Sequence, residues 1–128
     1  MAQPIDVVRE FCALWEKGDL DAIVESFTDD AVYHNIPFEP VTGRENIADN
    51  IASFIRPGPP GIERIEFRVI NIAASGPVVM TERVDVFTHA GKTFDLQVMG
   101  AFEVNDGKIN AWRDYFDPSQ FNSQIPQD

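Results

Sequence analysis

Three short stretches of this chain carry polar side chains that an apolar core has no use for. In Thr81-Glu82-Arg83-Val84-Asp85-Val86-Phe87, strand alternation puts Arg83, Asp85 and Phe87 on one face and Val84 and Val86 on the other, and either face can be the inward one. In Ala111-Trp112-Arg113-Asp114-Tyr115-Phe116-Asp117, Asp114 stands in aromatic surroundings, where an isolated charge is costly unless it is paired. Tyr33 and Asn35, two residues apart, direct two neutral hydrogen-bonding groups the same way. Paired carboxyls in such surroundings are the parts of general acid and base chemistry. Each stretch also has an ordinary reading. Arg83 and Asp85 taken alone favour a solvated face with a weak ion pair, the commoner fate of charged strand residues. Asp114 fits a surface acid bridged to Arg113 equally well. Tyr33 and Asn35 fit a buried tyrosine with a satisfied hydroxyl beside a turn-forming asparagine.

The elements that must position these residues follow from periodicity. Pro4 opens a helix with Ile5, Val8, Cys12 and Trp15 on one face, stopped at Lys17-Gly18. Asp19 caps a second helix with Leu20, Ile23, Val24 and Phe27 on one face, and Thr28-Asp29-Asp30 is expected to break it. A short strand spans residues 31 to 36, and Gly43 precedes a third helix carrying Ile47, Ile51, Phe54 and Ile55. Pro57-Gly58-Pro59-Pro60-Gly61 ends that helix in a loop. From Ile62 the period becomes two. Strands are predicted through Ile65, Phe67 and Val69, from Val78 to His89, over residues 93 to 105, and from about Ile109 to Phe116 after the Asp106-Gly107 hairpin signal. Helices first and a long antiparallel meander afterwards predict an α+β domain with a curved sheet wrapped around the helices.

Composition narrows the function. A chain of 128 residues supports one core, so residues 1–128 read as a single domain. A formal net charge of −11 repels nucleic acid and anionic membrane surfaces, and a neutral substrate fits more easily than an acidic one. Cys12, the sole cysteine, reads as a buried small hydrophobe. His34 lies between Tyr33 and Asn35 and faces away from them, and His89 sits beside a turn, so no metal site is expected from the two histidines. No signal peptide or spanning segment is read, and a cytoplasmic protein is expected.

Tyr33-x-Asn35, Arg83-x-Asp85 and Trp112-Arg113-Asp114-Tyr115-Phe116-Asp117 occur in the order found in limonene-1,2-epoxide hydrolases. Each motif is weak and the ordered set is specific. The likeness runs from about Tyr33 to Phe121, includes Gly43-Arg44 at the start of the third helix, and so covers most of the chain. It implies a cone-shaped fold similar to nuclear transport factor 2 and ketosteroid isomerase: a mixed, mostly antiparallel sheet around three to four helices, with a deep apolar pocket. Carried over to this chain, it implies Asp114 as general base, Asp85 as general acid, Arg83 as the bridge between them, and Tyr33 and Asn35 as holders of the water. It further implies a homodimer through the outer sheet face and no cofactor.

That chemistry is coherent. A neutral epoxide needs a proton on its oxygen as water attacks carbon, and two carboxyls do both jobs together. An ordinary aspartic acid titrates near ~3.9, so about one in a thousand carries a proton at neutral pH, and the site must raise one of the two. With water as nucleophile no covalent ester forms, and the product is a vicinal diol. The substrate has no charge to grip, so apolar walls must select it. Candidates are Ile51, Phe54, Ile55, Phe87, Leu96, Val98, Phe116 and Phe121, each of which also fits plain core packing. Competing readings are an isomerase or polyketide-cyclase-like enzyme acting on carbonyl substrates, and a non-catalytic binding module with Asp85, Arg83 and Asp114 as a structural ion network.

Overall fold

The computed structural model describes residues 3–55 and 62–124, with the backbone alone for Phe54, Phe121 and Asn122. Pro4 occupies the first turn of helix α1 (Pro4–Lys17), where its missing N–H is not needed, and Gly18 closes the helix in the left-handed conformation at φ 69°. Val8, Phe11, Cys12 and Trp15 form its buried face. Asp19 caps α2 (Leu20–Glu25) by accepting a hydrogen bond from the Ala22 amide at 3.1 Å.

Here the chain departs from expectation. Helix α2 ends before Phe27, which instead begins strand β1 (Phe27–Asn35), and Thr28-Asp29-Asp30 lies within the strand. The i, i+4 spacing of Ile23 and Phe27 suits a helix, but both side chains reach the same core by different routes. Phe27 pairs with Ile109, and an irregularity before Val32 absorbs the polar residues between. A two-residue strand β2 (Val41–Thr42), not foreseen in the sequence, precedes α3 (Arg44–Phe54). The Pro57–Gly61 run falls outside the described residues.

Strands β3 (Arg64–Ser75), β4 (Val78–His89), β5 (Lys92–Asn105) and β6 (Lys108–Tyr115) form the expected meander. Asp106 and Gly107, at φ 51° and 77°, make the tight turn between β5 and β6. The six strands order as β2-β1-β6-β5-β4-β3, with β1 and β6 parallel and every other pair antiparallel. This is the mixed, mostly antiparallel α+β sheet anticipated. Helix α1 lies across β3, with lesser contacts to β4 and β5, and α3 packs on β1 and β2. A last short helix, α4 (Ser119–Gln124), packs against β5. No helix among the described residues is long and apolar enough to cross a membrane.

Trp112 is the centre of the core. Its ring stacks on Tyr33 at 4.3 Å and on Phe102 at 5.4 Å, and meets Phe11 edge-on at 5.1 Å. Such aromatic pairs add about 0.5–1.5 kcal/mol each beyond the area they bury.

Candidate active site

Strand alternation turns Val79, Thr81, Arg83, Asp85 and Phe87 of β4 inward, so the face carrying charge is the core face. Arg83 is 1% exposed, Asp85 3% and Asp114 4%, which rules out the solvated ion pair. Asp114 does not pair with its neighbour: Arg113 points to the other face and bonds Glu103 at 2.5 Å.

Arg83 joins the two acids. Its Nε and Nη2 donate to Asp85 Oδ1 and Oδ2 at 3.0 and 2.9 Å. Nη2 also donates to Asp114 Oδ2 at 2.8 Å, and Nη1 donates to Asp114 Oδ1 and Thr81 Oγ1 at 3.1 and 3.2 Å. A guanidinium has five N–H groups, and all five are used. Both carboxyls are held in the two-point geometry that arginine alone among side chains provides. The Phe67 ring lies 4.5 Å from the guanidinium carbon and covers its face.

Asp114 accepts a further hydrogen bond from Trp112 Nε1 at 2.7 Å. The parallel register of β1 and β6 sets Tyr33 beside Trp112 and Asn35 beside Asp114. Asn35 Nδ2 donates to the Tyr33 hydroxyl at 3.0 Å. The two neutral polar groups and one acid therefore share a corner of the fold, although Tyr33 and Asp114 are distant in sequence. His34 turns the other way, as alternation requires, and its Nε2 lies 2.9 Å from the Phe38 carbonyl oxygen.

Burial pushes the Asp85 carboxyl up from its ordinary 3.8 to about 6; Arg83 opposes that rise and the Asp114 carboxylate adds to it. Burial works against the charge on Arg83, but Asp114 and Asp85 outweigh it and hold the guanidinium well above its ordinary value. Burial raises the Tyr33 hydroxyl, with Asp114 adding to the effect, so the phenol stays protonated. Burial likewise pushes the Cys12 thiol up to about 12, which keeps it an unreactive thiol.

Asp85, Asp114, Tyr33 and Asn35 line a cavity of about 260 Å³, with Arg83 behind them. Its other walls are Trp15, Phe38, Ile62, Ile65, Phe67, Phe87, Leu96 and Phe116. Of the eight expected wall residues, Phe87, Leu96 and Phe116 reach it. Ile51 is buried in the core on α3, Val98 is buried opposite Arg83 in the β4–β5 register, and Ile55 lines a separate hollow between α1 and β3. The side chains of Phe54 and Phe121 are outside the described residues.

The sequence reading passed over Phe67, Thr81 and Trp112 as site residues. Phe67 was visible as an inward position of β3, and its pairing with Asp85 places it under the guanidinium. Thr81 precedes Arg83 by two and so shares its face, a signal the alternation already contained.

The chain is similar to known proteins over most of its length. A family model described as "Limonene-1,2-epoxide hydrolase catalytic domain" matches residues 2–127. The chain is 33% identical over 110 residues to "Epoxide hydrolase EphG" of Mycobacterium tuberculosis (strain ATCC 25618 / H37Rv), an alignment covering 86% of this chain and 70% of the relative. The solved structure of an M. tuberculosis LEH-like epoxide hydrolase superposes with a TM-score of 0.80 at 31% identity, over 94% of this chain and 86% of that one.

Proposed function

The chain belongs to the limonene-1,2-epoxide hydrolase family and hydrolyses epoxides, and from that premise we propose that it opens a small, neutral, cyclic or terpene-like epoxide to a vicinal diol in one concerted step. The observation that carries the proposal is a single guanidinium shared by two buried carboxyls at the wall of an apolar cavity.

In the proposed step Asp85 starts protonated and Asp114 ionised. The charge of Arg83 then cancels that of Asp114, and the set carries no net charge, the state a dry cavity tolerates best. Water held by Tyr33 and Asn35 attacks one ring carbon as Asp114 takes its proton. The carbon–oxygen bond of the ring breaks, and the departing oxygen receives the proton of Asp85. Asp114 then loses its proton and Asp85 regains one, while Arg83 stays charged throughout. No bond to the protein forms. Phe67, Phe87, Leu96 and Phe116 support a substrate recognised by shape and apolar contact, since none of them offers a charge.

We assign Asp85 and Asp114 by substitution. Asp85→Asn or Asp114→Asn is expected to lower diol formation from cyclohexene oxide by at least a thousandfold. Each variant turns an amide N–H toward an Arg83 N–H, so a stability loss of about 1–3 kcal/mol accompanies it, short of unfolding. Gas chromatography of the diol and thermal melting read both quantities. Activity within tenfold of the parent in either variant would remove that carboxyl from the mechanism. We also propose that the outer sheet face, with Met80, Met99 and Tyr115 exposed, mates with a second copy of the chain.

A further inference from the structure

The two acids do not stand on neighbouring strands. Asp85 belongs to β4 and Asp114 to β6, and β5 runs between them. Two strand spacings amount to about 9.6 Å, so any contact between the acids must cross the inner face of β5. That face is apolar and regular: Leu96, Val98, Phe102 and Val104 are all buried along it at period two. The row is interrupted once, at Gly100.

Gly100 pairs with Thr81 on one side and with Asp114 on the other. Residues paired across a sheet point to the same face, so a side chain at position 100 would enter the gap between them. A Cβ built there would lie 2.5 Å from Arg83 Nη1, 2.7 Å from Asp114 Oδ1 and 2.9 Å from Thr81 Oγ1, all closer than real Cβ contacts allow. Backbone conformation gives no reason for glycine here, because Gly100 is absent from the residues at positive φ. A glycine inside a strand is less stable there than alanine, and the close approach of Arg83, Asp114 and Thr81 accounts for that penalty.

We infer that Gly100 is a positioning residue of the hydrolase: its missing side chain is the slot through which Arg83 crosses β5 and fixes Asp114 relative to Asp85. The inference rests on the acid–base reading above. The end of a free arginine would swing aside for a methyl group at small cost. This one cannot, because its N–H groups are committed to Asp85, Asp114 and Thr81 and its face lies on Phe67. Relief therefore comes from the Nη1 side, where the bonds to Asp114 and Thr81 are, and the backbone has no need to move. A methyl at 100 accordingly disturbs the relation of the two carboxyls before it disturbs the fold.

The test compares parent and Gly100→Ala with cyclohexene oxide as substrate. The alanine variant is expected to melt cooperatively, to keep KM within threefold, to lose kcat by a hundredfold or more, and to show a pH–rate profile displaced by at least half a unit on one limb. Its crystal structure should show the contact of Arg83 Nη1 with Asp114 Oδ1, 3.1 Å in the parent, lengthened beyond hydrogen-bonding distance. A fully active variant, or one with the contact intact, overturns the inference and leaves the epoxide hydrolase reading standing. A parent inert toward epoxides would instead sink that reading, and the crystallographic distance would still judge the slot. Should Gly100→Ala fail to fold, the pair Gly100→Ala with Thr81→Ala relieves one of the three clashes and makes room for Nη1; it is expected to recover folding and at least tenfold in kcat over Gly100→Ala, and failure to recover either overturns the inference.

Discussion

Asp85 is pulled in two directions. Removal from water favours its protonated form and the Arg83 guanidinium favours its ionised one, and burial wins, leaving it near 6. A general acid must hold its proton, so the proposed mechanism predicts that kcat/KM falls as the pH rises through about 6, by roughly tenfold per unit above it. The same shift bears on stability. The folded-state value lies above the unfolded 3.8, so folded protein holds this proton more tightly, and the contribution is full below pH 3.8 and lost as the pH rises through about 6. Between those limits the parent should lose roughly 3 kcal/mol that Asp85→Asn does not lose, as read by urea unfolding across the window. Equal pH dependence in both proteins would mean that Asp85 does not carry the shift. At this scale the polar residues were legible from alternation and order along the chain. Their burial was not, because alternation says which residues share a face and leaves open which face is dry. Phe67 and Thr81 decide that for Arg83, and both lie on the same inward rows.

Strand β5 is longer than the strand beside it. It pairs with β6 only from Met99 onward, so the backbone groups of Asp95 and Gln97 have no strand to meet on that side. Helix α4 supplies the substitute. The Gln120 side-chain amide accepts from the Gln97 N–H at 2.9 Å and donates to its carbonyl at 3.2 Å, and Gln124 does the same for Asp95 at 2.9 and 2.6 Å. Two glutamines four apart on a helix share a face, and their amides copy the peptide groups of a missing strand. Leu96, between the clamped residues, lines the cavity, and Phe116 leads from the cavity into α4. Replacing Gln120 and Gln124 together with alanine should speed hydrogen exchange at the Asp95 and Gln97 amides by at least tenfold and raise KM several-fold, with kcat within threefold. Unchanged exchange would show that the helix is held by other contacts. None of this was readable beforehand: Ser119–Gln124 has no apolar stripe, and its function depends on a backbone edge created by strands elsewhere. The end of α2 was missed for the opposite reason, since Phe27 satisfied a helical spacing and a strand core position at once. The strand limits Val78 and His89 were read correctly because turn residues flank an unbroken run of period two.

At the scale of the whole molecule, the inner face of the sheet is committed to the core and cavity while the outer face is only partly polar. Met99 on β5 is 51% exposed, its β6 partner Tyr115 is 48% exposed, and Met80 on β4 is 44% exposed. Val84 and Val86, half-buried, continue the same face. A chain of net charge −11 repels its own copies at long range, so two can associate only where the meeting surfaces are themselves apolar, and added salt should strengthen the pair by screening the remainder. This face offers such a surface. The parent is therefore expected to sediment at twice its 14.4 kDa. Met99→Glu should reduce it to a single chain, because the new carboxylate would stand beside Glu82, the β4 partner of position 99, and bury like charges together. Met99 lies on the opposite side of the sheet from Asp85 and Asp114, so the monomer should retain diol formation. A parent already monomeric at every concentration and salt would end the proposal for this face. A monomeric Met99→Glu that had lost all activity would instead mean that the second copy supports the cavity through the sheet.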